Sequence, residues 1–379
     1  MGPLHGIRVV ELAGIGPGPF CAMLLGDLGA EVIRVDRVEG SAGNLPGGLA
    51  DLAGRNRSSI GVDLKQPDGV EIVLGLVERS DVLVEGFRPG VAERLGIGPA
   101  DCHARNPGLV YGRMTGWGQE GPLAATAGHD IDYIAVSGAL ASIGRSGERP
   151  VPPLNLVGDY GGGALYLAVG ILAALVERTT SGAGDVVDAA MVDGAASLMT
   201  PFYQMRAIGA WRDDRGTNLL DGGAPFYDTY ETSDGNAVAV GALEPQFYQE
   251  LIEGLGLEPS GLPPQYDPAG WPELRDLLAA RFASRTRDEW VATFDGTDAC
   301  VAPVLTMGEA PRHPHAAARG AFVDVGGVSQ PAPAPRFSRS ATAAPRPPVP
   351  PGGDTDAVLA ELGRSHSEIA ALRASRVVG

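Results

Sequence analysis

IRVVEL at 7–12, FCAMLLGDLGA at 20–30 and EVIRVD at 31–36 decide the fold. The outer two runs are short, apolar and rich in Val and Ile, which reads as buried strand. The middle run is longer, lacks β-branched residues and closes on glycine, which reads as helix. Strand, helix, strand in so few residues is a βαβ unit. The pattern continues outward after a glycine-rich loop, with a strand at 59–64, an amphipathic helix at 67–80, a strand at 81–87 (DVLVEGF), helical turns over 90–105 and a strand at 109–114 (LVYGRM). Apolar strands alternating with helices predict a parallel sheet covered on both faces.

Further along, 161–178 reads as a buried helix, 185–192 (DVVDAAMV) as a strand, and a helix runs to about 206. The stretch 207–226, ending GAWRDDRGTNLLDGGAPF, breaks the pattern and reads as a linker. A smaller α+β texture follows: strands at 227–232 and 237–241, helices at 245–255, 272–284 and 287–294, and a strand at 300–305. Eight of the 21 residues from 331 to 351 are proline, which favours an extended return segment. Residues 354–375 (DTDAVLAELGRSHSEIAALRAS) read as two capped helical turns, and there is no internal repeat.

The 379 residues carry 46 acidic and 29 basic side chains, a formal charge of −17. All basic residues but Lys65 are arginine. This balance argues against sequence-independent binding to nucleic acid or anionic lipid. Cys21, Cys102 and Cys300 are too scattered for a disulfide framework, so a reducing cytosol is expected. The start has no signal-peptide pattern, and Gly6 stands where a myristoylation motif needs Ser or Thr. The longest uncharged apolar stretch, 161–176, is shorter than a membrane span of about 20 residues.

Several motifs have more than one reading. GIGPGP at 14–19 lies between strand and helix, but Pro19 replaces the third glycine of a dinucleotide fingerprint, so a tight turn explains it better. His129 in GHDIDY sits in a glycine-flanked loop without a second histidine at metal-ligand spacing; it is open between a solvated loop residue and a proton-transfer group. Asp159 in LNLVGDYGGG precedes an apolar helix, as an N-cap would, at a place also suited to a developing anion. Glu244, before Pro245, suits the first turn of a helix. Arg37, Arg55, Arg57, Lys65, Arg88 and Arg94 fall at strand ends as anion-binding candidates, although residues 31–113 hold 12 acids against 10 bases. Met114, Met191, Met199 and Met205 suit either a core or an adaptable apolar surface. His313 and His315 are too isolated to suggest a metal site.

GIRVVELAGIGPGPFCAMLLGDLGAEVIRVDR, RSSIGVDLKQ, SDVLVEGFRPGV, RMTGWGQEGPLAATAGHDIDYIAVSG and RPVPPLNLVGDYGGG together resemble the type III CoA-transferase (CaiB/BaiF) family, and within it the α-methylacyl-CoA racemases. GDVVDAAMVDGAA, NLLDGGAPFYDTYETSDG, AVGALEPQFY and FDGTDACVAPVL extend the resemblance over nearly the whole chain.

The resemblance implies a Rossmann-like α/β large domain formed by both chain ends, a smaller inserted α+β domain, and an interlocked homodimer. The expected segments are 1–190 (completed by 334–379), a linker at 191–226, the small domain at 227–313 and a return linker at 314–333. It maps proton transfer onto His129, Asp159 and Glu244. It maps CoA recognition onto Arg37, Val62, Asp63, Leu64, Lys65, Arg88, Arg94, Gly128, Asp130 and Tyr133. The expected reaction interconverts (2R)- and (2S)-2-methylacyl-CoA thioesters through an enolate, the thioester oxygen facing N–H groups of Asp159 and Tyr160. No metal or separate cofactor is expected, since CoA belongs to the substrate; neither is a nucleic-acid or membrane partner. The rival is an acyl-CoA:carboxylate CoA-transferase in which Asp159 forms an anhydride, a route with no use for the His129–Glu244 pair. A non-catalytic acyl-CoA binder is the third class. The acyl chain is not legible.

Overall fold

The computed structural model describes residues 2–38 and 51–379; most of the glycine-rich loop read after the second strand lies outside them. The chain forms two compact units. The first comprises residues up to Ser137, Leu154–Leu198 and Ala317–Gly379; the second comprises Gly138–Pro153 and Met199–Ala316. Residues 138–153, expected in the large domain, thus group with the inserted unit.

The first unit runs β1 (Arg8–Leu12), α1 (Pro17–Asp27), β2 (Glu31–Asp36), β3 (Arg57–Gly61), α2 (Pro67–Val77), β4 (Val82–Glu85), α3 (Val91–Arg94), α4 (Pro99–Arg105), β5 (Val110–Thr115) and α5 (Asp130–Val136). A π-helical segment, Leu156–Ala164, leads into α6 (Leu165–Ser181), followed by β6 (Val186–Ala190) and α7 (Met191–Leu198). The six strands are parallel in the order β3-β2-β1-β4-β5-β6, the arrangement of doubly wound α/β folds. Alternation along each strand feeds two cores. Val9, Val32 and Val82 pack under α1 and α6 with Leu25, Leu167 and Ile171. Val10, Ile33 and Leu83 pack on the opposite face with Ile72, Leu76, Leu359 and Ile369.

The second unit contains α8 (Thr200–Ala207), then β7 (Tyr227–Glu231), β8 (Ala237–Gly241), α9 (Pro245–Gly254), α10 (Trp271–Phe282), α11 (Arg287–Phe294) and β9 (Val301–Pro303). Its three-stranded antiparallel sheet closes over Phe226, Phe282 and Trp290. After α12 (Pro314–Ala318), the chain returns to the first unit through a hairpin, β10 (Phe322–Val325) and β11 (Val328–Pro331). The sequence reading treats this stretch as linker, although Gly326 and Gly327, at φ 62° and 82°, make the two-residue turn that fits a hairpin. Finally α13 (Thr355–Glu361) and α14 (His366–Ala374) dock beside β3, where the Asp63 N–H donates to Val377 O at 2.8 Å.

Three further expectations shift. Helix α1 begins at Pro17 rather than 20, because proline fits the first helical position. Strand β3 begins at Arg57 rather than 59; a charge that reads as loop is buried against Glu11 at 3.0 Å. The helix read as buried is continuous over Leu156–Ser181, 26 residues, and is long and apolar enough to cross a membrane by length and composition. It is only half inside: Leu167, Ile171 and Ala174 face the sheet, while Leu165, Val169 and Val176 are 48%, 65% and 69% exposed.

Arg55 illustrates how the two chain ends are joined. Its guanidinium pairs with buried Asp27, and its Nη1 donates to Gln330 Oε1 at 2.9 Å and Pro331 O at 2.8 Å. Removing one partner of such a pair strands a buried charge. Arg55→Met is therefore expected to cost about 3–5 kcal/mol, read as a lowered urea midpoint. A loss below about 1 kcal/mol would show that the pair does not clamp the hairpin.

Candidate active site

A cleft of about 810 Å³ lies at the carboxyl ends of β1 to β4, walled by Ala13, Arg37, Lys65, Phe87 and Arg376 among others. This is where ligands bind in open α/β sheets, outside the point at which strand order reverses. Arg37 and the whole 62–65 segment line it. Asp63 is kept low in pKa first by its hydrogen bond from Gln66 and then by the Lys65 N–H. Its oxygens are thereby engaged within their own turn, at 3.1 and 3.0 Å. Arg88 and Arg94 are exposed on the neighbouring stretch; Arg94 ends α3, whose Val91 lines the cleft. Arg55 and Arg57 are not anion-binding residues in this structure: both are buried and paired with Asp27 and Glu11.

The GHDIDY loop is held from below. The Tyr133 hydroxyl donates to Gly128 O, and its ring meets Trp117 edge-on at 4.8 Å. Burial, ahead of the neighbouring carboxylates, pushes the Tyr133 hydroxyl up to about 12. Tyr133 and Asp130 are 6% and 7% exposed, so in the single chain they face inward as supports for the loop. His129 caps α5 and is exposed; its N–H donates to Asp132 Oδ2 at 3.0 Å.

Asp130 reaches across to the catalytic candidate on the π-helical segment. Its Oδ1 accepts the Asp159 N–H at 2.7 Å, while its Oδ2 is buried with no partner among the described residues. Only glycine fits at 158, since a Cβ there would lie 2.5 Å from Asp130 Oδ1. Two expectations are corrected here. Asp159 is not an N-cap; it lies inside Leu156–Ala164, where Asn155 takes the cap position. Its N–H is also already used, and so is not available to a substrate oxygen. The Asp159 carboxylate accepts from Asn155 Nδ2 at 3.0 Å and stands against Gly16, whose φ is +71°. Burial, the largest effect, holds Asp159 above the ordinary aspartate range; Asn155 and His129 oppose it, and Asp130 adds to it. His129 and Asp159 are thus within electrostatic reach of each other.

The glycine run at 161–163 lets α7 approach: a Cβ on Gly162 would be 2.5 Å from Ala195 N. Met114 and Met191 fill the core behind it at 3% and 8% exposure, and Met199 and Met205 belong to the second unit. Glu244 also lies in the second unit. It is exposed at the start of α9, on a turn pinned by Gln265 and Tyr266, both donating to Leu243 O. It helps raise the Cys300 thiol, after burial. Among the described residues, no cluster of three or more His, Cys, Asp or Glu is arranged to hold a metal ion. Sequence reasoning did not single out Asn155, whose spacing of four from Asp159 was the available signal, nor Arg376, which no motif marks.

The model of CoA-transferase family III matches residues 4–355. The chain is 49% identical over 378 residues to the mouse α-methylacyl-CoA racemase, covering 99% of this chain and 97% of that protein. Against the human α-methylacyl-CoA racemase it is 48% identical over 386 residues, with the same coverage. The crystal structure of a CaiB/BaiF family protein from Brucella suis matches with a TM-score of 0.83 at 26% identity, covering 95% of this chain and 99% of that one. The strand order, the cleft and these similarities lead to one assignment: the chain belongs to CoA-transferase family III.

Proposed function

We propose that the protein is an α-methylacyl-CoA racemase that exchanges the α-proton of a 2-methylacyl-CoA thioester between two protein groups. The observation that carries this reading is Asp159, a carboxylate held above its ordinary pKa with His129 within electrostatic reach. The two curated racemases of similar length support it. Arg37 and Lys65, with Arg88 and Arg94 nearby, hold the CoA phosphates, and Val62, Asp63 and Leu64 shape the nucleotide end. One group takes the α-proton; the C–H electron pair moves into the new carbon–carbon double bond, and the thioester oxygen becomes the enolate anion. The other group returns a proton to the opposite face, and roles swap with substrate configuration.

The anion requires donors, and the Asp159 N–H is taken. The first-turn amides of α5, on Asp130 and Ile131, have no acceptor among the described residues and fill this role beside His129. Glu244 is the third proton-transfer residue of this reading, one the anhydride route of a transferase would not use. The step needs no metal or redox cofactor, and its setting is the cytosol. Two copies interlock, the exposed stripe Leu165–Val169–Val176 lying against the second copy rather than lipid.

Incubated in deuterated water with one enantiomer of a 2-methylacyl-CoA and no acceptor acid, the protein is expected to incorporate deuterium at the α-carbon while stereochemical purity falls. No exchange, but CoA transfer once a free carboxylic acid is added, would replace the racemase reading with the transferase. His129→Ala and Asp159→Asn are each expected to lower exchange by about 10²–10⁴-fold.

Asp159 also links activity to pH and stability. Its folded pKa is raised, so the neutral form favours folding, and stability falls as pH rises through that value. Asp159→Asn should leave the melting temperature at pH 7 equal to or above the wild-type value. The rate limb for the direction in which Asp159 is the base should fall on acidification at a pH above the ordinary 3.8. A much lower melting temperature for Asp159→Asn would contradict this account. For the dimer, light scattering should give twice the chain mass, and Val169→Glu should shift the population towards monomer; a monomeric wild type would remove the assembly from the proposal.

A further inference from the structure

The cleft has a wall that comes from far along the chain. Helix α14 ends at Ala374, and the next turn closes with Arg376 N–H donating to Arg373 O and Val377 N–H donating to Leu372 O, both at 3.0 Å. That pair of bonds is the Schellman stop, whose left-handed position is normally glycine because a Cβ is disfavoured there. Here the position is Arg376, at φ 54°. The residue is fixed in place: its carbonyl accepts from Gln66 Nε2 at 3.2 Å, and Val377 and Val378 beyond it are buried in the core and pair with Asp63 and Val62. Arg376 thus stands in the cleft wall with Arg37 and Lys65, three cations from three separated segments.

We propose that Arg376 is a phosphate-binding residue for the nucleotide end of the CoA thioester, and that the strained arginine is retained at a glycine position for that contact. The inference rests on the racemase reading of the cleft. A phosphate monoester carries close to two negative charges and a diphosphate bridge about the same, so the nucleotide end of CoA matches a ring of cations better than one side chain could. Arginine suits the role because its planar donors can meet two phosphate oxygens at once.

The conformation supplies an unusually clean test. Arg376→Gly removes the guanidinium and puts the favoured residue at the left-handed position, so it should melt at or above the wild-type temperature. Calorimetric titration with CoA should show affinity weakened about tenfold, and KM for a 2-methylacyl-CoA should rise similarly with kcat little changed. Arg376→Asn, also tolerant of this conformation, should behave the same way, and Arg376→Lys should recover part of the loss. Titration with dephospho-CoA locates the contact. A loss confined to CoA assigns Arg376 to the 3′-phosphate, and an equal loss with both ligands assigns it to the diphosphate. Unchanged CoA affinity in both the Gly and Asn variants would overturn the inference while leaving the racemase reading standing. A wild-type protein that binds neither ligand would overturn the reading of the cleft itself.

Discussion

A hydrogen bond from the Asp159 N–H to a buried oxygen of Asp130 joins the two segments of the candidate site. It ties the first turn of α5, which carries His129, to the π-helical segment that carries Asp159. The two segments also pack on each other and on α7, so the spacing of His129 and Asp159 rests on this bond together with that packing. The bond in turn needs a residue without a side chain at 158 and close approach of α7 at 162. A π-helical turn is costly in isolation, and here it lifts Asp159 out of register with the regular helix that follows. The result is a carboxylate half withdrawn from water yet still served by Asn155.

The arginines divide by depth. Arg34, Arg55, Arg57 and Arg113 are buried and paired with Asp36, Asp27, Glu11 and Glu85 within the first unit. Arg37, Arg88 and Arg94 are exposed at the strand ends. The buried set opposes, without cancelling, the burial that raises Glu11 and Glu85. The exposed set stays open to an anionic ligand despite a chain whose overall charge is strongly negative. Overall acidity and a locally cationic cleft therefore coexist, because screening confines each field to its neighbourhood.

The sheet was legible because β1, β2 and β4 are covered on both faces and so are dominated by Val, Leu and Ile, even with buried charges at Glu11, Arg34 and Glu85; β2 begins and ends where its sequence suggests. The start of β3 was not, since a buried, paired arginine looks like a solvated one until Glu11 is seen beside it. The β10–β11 hairpin hid for the reverse reason: its strands are mostly polar or exposed, and only the Gly-Gly turn marked it. His129, Asp159 and the 62–65 segment were recognisable as motifs. The inward orientation of Asp130 and Tyr133, and the use of the Asp159 N–H, depend on contacts between segments about 30 residues apart in sequence. Arg376 had no local signature, because what marks it is a backbone angle.

The docking of residues 352–378 beside β3 sets the order in which the molecule can be completed. Ser59 N–H donates to Asp354 Oδ2 and Gly61 N–H to Thr355 Oγ1, each across more than 290 residues of chain. Until that return is made, β3 is an outer strand with one side of its backbone unpaired, a ready template for another chain. Contacts so distant in sequence are slow to form. The second unit, lying between the two halves, has its own core and can consolidate in the meantime. The vulnerable species during refolding is therefore one with a finished insert and an open sheet edge, and its losses to association grow with protein concentration.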